Sequence, residues 1–174
     1  LARARERIET EIEPTVATPP GTRRRLALHA RRGADGGTVL GFKARRSWRL
    51  VEVRECPIAD PRLVRAFPAL AEVADALLEH PKSAPTLHVT WTLTGLDVDV
   101  TGVERRSGGL SADARTRAVA AAGRADLARL SLAGETLMMA RAPQVMFGPA
   151  TVALPAGGFL QAVPEAEGRW SNGR

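Results

Sequence analysis

Cysteine is almost missing from this chain: among 174 residues there is one, Cys56. A single thiol excludes an internal disulfide, which sets the expectation of a reducing, cytoplasmic setting. Histidine is scarce too, and His29, His80 and His88 are scattered without a cysteine or histidine partner at metal-ligand spacing. No apolar run reaches the ~20 residues that a membrane helix needs, and no hydrophobic leader lies near the start. Glycine clusters sit in turns, and no glycine-rich phosphate loop follows a strand into a helix, so a nucleotide-binding fingerprint is missing. A nucleophile elbow is missing as well. Lysine accounts for only 2 of the 25 basic residues, and arginine for the rest.

What the chain does have is a concentration of positive charge. Ten basic residues lie between Arg23 and Arg54 (Arg23, Arg24, Arg25, Arg31, Arg32, Lys43, Arg45, Arg46, Arg49 and Arg54) against two acids, Asp35 and Glu52. That is a local charge of +8 in a chain whose total is +6, so the remainder carries −2. A localised positive field selects polyanions such as RNA. It also occurs as a solvated strand face with no partner, and an arginine bias this strong can reflect genome composition.

The basic segment has the pattern of a β-hairpin. Residues 25–30 alternate, with Leu26 and Leu28 on one side and Arg25, Ala27 and His29 on the other. Gly33, Gly36 and Gly37 supply a turn, and a second run over 38–53 carries Val39, Leu40, Phe42, Trp48, Leu50, Val51 and Val53. Upstream, residues 1–13 form a weakly amphipathic helix at best, and Pro19-Pro20-Gly21 is an extended linker. Downstream, Asp60 is a helix N-cap with Pro61 at the first helical position, Pro68 interrupts, and Leu70, Val73, Ala74, Leu77 and Leu78 resume at helical spacing until Pro81.

The cleanest alternation lies over 86–101. Leu87, Val89, Trp91, Leu93, Val98 and Val100 are expected to pack on the helix bearing Leu70, Val73 and Leu77. His88, Thr90, Thr92, Asp97 and Asp99 occupy the other face, where the two aspartates read as a solvated strand face more readily than as an acid–base pair. After a break at Gly108 and Gly109, Ser111 caps an alanine-rich helix reaching about Gly123, and strands over 127–132 and 135–140 turn at Ala133-Gly134. The predicted class is α+β, an antiparallel sheet of hairpins with two main helices on one face. Cys56 by itself is either a small buried hydrophobe or one ligand of a cluster completed elsewhere, and spacing leaves both open.

Four segments in order carry a resemblance: residues 14–25 (PTVATPPGTRRR), Gly41-Phe42-Lys43-Ala44-Arg45-Arg46-Ser47, Cys56-Pro57-Ile58, and residues 155–161 (PAGGFLQ). Together they resemble the class I S-adenosylmethionine-dependent RNA methyltransferases that make 5-methyluridine, in particular the rRNA branch. In that family a TRAM domain precedes a central domain and a Rossmann-like catalytic domain. The resemblance implies a helix and linker over 1–21, a central domain over 22–155, and the beginning of the catalytic domain over 156–174. It also implies that Cys56 is the fourth ligand of a 4Fe-4S cluster and that Gln161 contacts the methyl donor.

The other cluster cysteines and every catalytic residue would lie outside this chain, which alone should hold neither cofactor and should be inactive. RNA binding is expected from Arg23, Arg24, Arg25, Lys43, Arg45 and Arg46, on a cytoplasmic monomer whose RNA is rRNA. Two other readings are a stand-alone RNA-binding module and a structural domain whose basic hairpin meets another protein.

Overall fold

A computed structural model describes residues 17–80, 82–103 and 109–166. The weak helix expected over 1–13, Pro81, Gly108 and the irregular tail at 168–174 lie outside the described residues.

The strands are β1 (Arg25–Arg32), β2 (Thr38–Lys43), β3 (Leu50–Glu52), β4 (Thr86–Thr92), β5 (Gly95–Thr101), β6 (Arg129–Leu132), β7 (Glu135–Met139), β8 (Gln144–Phe147) and β9 (Ala150–Ala153), and the helices are α1 (Pro61–Arg65), α2 (Phe67–Leu77) and α3 (Ala112–Arg124). Seven strands form one sheet in the order β3-β2-β1-β4-β5-β6-β7, and β8 pairs with β9 separately. The class is α+β, as the pattern predicts.

Period-two alternation builds the core face. Leu26, Leu28, Leu40, Leu87, Val89, Val98, Val100 and Leu130 are buried with Leu63, Leu70, Val73 and Leu77 of the helices. The helix boundaries have local causes. Asp60 accepts the Arg62 backbone N–H at 2.8 Å at the start of α1, and Pro68 falls in the first turn of α2, where its missing N–H costs nothing. Ser111 Oγ accepts the Ala114 N–H at the start of α3.

Three expectations need correction. The sheet is not wholly antiparallel: β5 and β6 run parallel, with α3 as the crossover between them. Hydrophobic period shows a strand's buried face but not its partner, so the βαβ unit was hidden. The run at 38–53 is two strands, with a turn at 44–49 in which Arg46 adopts φ 53. And at its far end the 86–101 hairpin keeps the predicted pairing but departs from the predicted burial. Leu93 is exposed in the two-residue turn and Trp91 is half-buried, whereas Thr90, Thr92 and Asp97 are buried.

A second layer lies on the face that carries those polar residues. Residues 154–161 cross the face opposite the helices: a Cβ added to Gly157 would touch the Asp99 carboxylate, and the Leu160 carbonyl accepts from Arg25 Nη1. Val145, Leu154 and Leu160 form a small apolar cluster there. On that face Asp97 is not a solvated side chain: both its oxygens accept from Arg129, at 2.8 Å each, with both side chains under 8% exposed.

Candidate nucleic-acid interface

The basic residues divide into those that hold the fold together and those with no partner. Arg32 pairs with Asp75 and donates to the carbonyls of Asp75 and Leu78, so it closes the C-terminal end of α2. Arg54 pairs with Glu52, and Arg62 with Asp60. The α3 arginines are also occupied, Arg115 by Glu135, Arg117 by Asp113 and Arg124 by Glu72. Arg23, Arg31, Arg45, Arg46 and Arg49 make no ion pair among the described residues. A cation without a carboxylate keeps its attraction for phosphate, whereas a paired one must first give up its partner.

Four of those five cations gather at one end of the sheet. Because β1 and β2 are antiparallel, β1 begins where β2 ends. Arg23, Arg24 and Arg25 therefore lie at the same end as Lys43 and the 44–49 turn. Arg31, at the other end of β1, lies apart.

The turn is held by three internal hydrogen bonds: Ala44 N–H to Arg49 O at 2.9 Å, Ser47 N–H to Ala44 O at 3.1 Å, and Arg49 N–H to Ser47 Oγ at 3.0 Å. It presents Arg45, Arg46, Trp48 and Arg49, all exposed. The Lys43 ammonium lies over the Trp48 ring, 4.9 Å from its centroid. Arg25 lies similarly over the exposed Phe159 ring, at 6.0 Å.

Arg24 differs from its neighbours. It is buried, and its Nε donates to the Gln161 carbonyl at 3.4 Å while its backbone N–H donates to Ala162 O at 2.8 Å. On the other flank, Arg23 donates its N–H to Ile58 O and accepts from Asp60 N–H. The extended chain at 23–25 thus lies between the segment that follows Cys56 and the segment that contains Gln161. Three stretches far apart in sequence, each singled out by the resemblance, meet here.

Neither Cys56 nor Gln161 alone makes a site for the group that the resemblance gives it. Cys56 is a half-buried free thiol against the core, and no three His, Cys, Asp or Glu side chains among the described residues are grouped to hold a metal. One thiolate is a quarter of a typical cluster's protein ligands. Gln161 offers one half-buried amide beside Arg24. Both would need donors from other polypeptide, so no chemical step is derived through either group.

Sequence reasoning missed Trp48 as a surface group, treating it as an apolar strand residue; Ser47 beside it was the one weak turn signal. It also missed a cleft of ≈ 330 Å³ lined by Thr22, Arg24, Arg62, Trp91 and Met146, where the Arg62 guanidinium stacks on the Trp91 ring at 4.6 Å. No helix among the described residues is long and apolar enough to cross a membrane.

No family model matches the chain. It is 68% identical over 163 residues to a Caulobacter vibrioides protein named "uncharacterized RNA methyltransferase", a match covering 93% of this chain and 39% of that protein. Proteins with corresponding names from Brucella suis and Mesorhizobium japonicum are 38% and 40% identical, over 92% of this chain and 37% of each of theirs. The chain thus spans less than two fifths of the length of these relatives. Over nearly all of its own length, it is similar to part of proteins named RNA methyltransferases.

Proposed function

We propose that this chain is the RNA-facing central domain of an S-adenosylmethionine-dependent RNA uracil-5 methyltransferase acting on rRNA, with the catalytic domain outside it. The observation that carries the reading is the 68% identity to a relative named an RNA methyltransferase. The free cations at one end of the sheet support its RNA-facing part. Arg23, Arg25, Lys43, Arg45 and Arg46 reach phosphates, while Arg24 holds the chain at 160–162 in place beside them. Cys56 and Gln161 serve the cluster and the methyl donor only where other polypeptide completes those sites.

The chain alone is expected to bind RNA weakly as a monomer and to transfer no methyl group. About four to six phosphate contacts predict log affinity falling against log salt with a slope of roughly −3 to −4 on single strands. Replacing Arg45 and Arg46 together by glutamine should lower both the affinity and the slope, the latter by about 1.4. The matched change at Arg115 and Arg117 should do much less, since those two are already paired. Equal losses from the two double variants, or binding indifferent to salt, would overturn the reading.

A further inference from the structure

Trp48 has a position that charge alone does not explain. Its side chain is 87% exposed at the tip of the β2–β3 turn, the most exposed large apolar residue among those described. Placing an indole in water is unfavourable by itself. The turn that carries it is closed by its own hydrogen bonds, so the ring is presented on a preformed support. Lys43 sits over the ring, and Arg45, Arg46 and Arg49 are exposed on the same turn without ion pairs among the described residues.

We propose that this tip is a stacking site for an unpaired RNA base, with Trp48 as the platform, Lys43 backing it, and Arg45, Arg46 and Arg49 holding the flanking phosphates. The inference rests on the RNA-facing reading and narrows it to single-stranded RNA. An exposed aromatic ring backed by one cation, with three more on the same turn, fits a splayed base and its backbone. A duplex has its base faces stacked internally, so it would meet the arginines and leave the indole unused. The cation over the ring favours an electron-rich indole over a smaller aromatic group, though phenylalanine should keep most of the stacking.

The test is anisotropy titration of the 174-residue chain with a labelled single-stranded oligoribonucleotide and with an RNA duplex of the same length. Trp48→Ala should weaken single-strand binding by roughly 5- to 150-fold, the range for losing one base stack. It should leave the salt slope unchanged because no phosphate contact is removed, and it should move duplex affinity by less than about twofold. Trp48→Phe should restore most of the loss. Circular dichroism should be the same for all three proteins, as expected for a side chain this exposed.

Single-strand affinity unchanged by Trp48→Ala, with the Arg45/Arg46 double variant still impaired, would overturn the stacking site and leave the RNA-facing reading standing. The indole would then be a contact for a protein partner. Equal losses on single strand and duplex would overturn it too. If the arginine variant also binds normally, the broader reading falls with it.

Discussion

His29 shows how the open part of the sheet responds to protons. On β1 its Nδ1 lies 2.9 Å from Thr86 Oγ1, and partial burial, then the positive charge of Lys43, then His88, holds its pKa below the ordinary histidine range. A lowered histidine pKa means that the unfolded chain binds the proton more readily than the folded one. Its contribution to stability is therefore complete above the unfolded value of about 6.5, and is lost as pH falls through the lower folded value. Urea denaturation at a series of pH values should show that loss, and His29→Gln should flatten it. An unaltered pH profile in the variant would mean that other groups carry the effect. Asp60 loses stability in the same direction for a different reason: its bond to Arg62 favours the charged form and lowers the carboxyl pKa, so its cap is intact above the ordinary aspartate range and fails in stronger acid.

At the scale of the element, Gly41 governs where the basic 44–49 turn sits. It lies in β2 between His29 on β1 and Glu52 on β3, and a Cβ there would run into the Val51 carbonyl. Gly41→Ala must therefore push β3 outwards and carry the 44–49 turn with it. The expected cost is about 1–3 kcal/mol, as for other overpacked sites, read as a lower urea midpoint, together with weaker RNA binding. An unchanged midpoint would show that β3 yields freely. The pattern marked residues 38–53 as extended but not the break within it, because Ala44-Arg45-Arg46-Ser47 contains neither glycine nor proline and the left-handed residue is an arginine. By contrast, the caps at Asp60 and Ser111 and the interruption at Pro68 were legible, since each is set by chemistry within a few residues of itself.

The molecule as a whole depends on contacts that no local pattern encodes. Asp97 and Arg129 join β5 to its parallel neighbour β6 through two charge-assisted bonds between two buried side chains. The predicted solvated face at Thr90, Thr92 and Asp97 is interior, and the chain at 160–162 lies beside Arg24 and Arg25. The order of the strands has a kinetic consequence. β4 and β5 are joined by a turn of only two residues, Leu93 and Thr94, whereas His29 and its β4 partner Thr86 are separated by 57 positions. Closing the long loop carries the larger entropic cost before it gains any contact, so the central hairpin should form in the folding transition state and β1 should dock late. Val98→Ala should then chiefly slow refolding in stopped-flow measurements, and Leu26→Ala should chiefly speed unfolding. The reverse partition would overturn that order. On this ordering, β1, which carries Arg25, is the last to arrive and the first to leave, so prolonged amide protection belongs to the central hairpin and briefer protection to β1, β2 and β3.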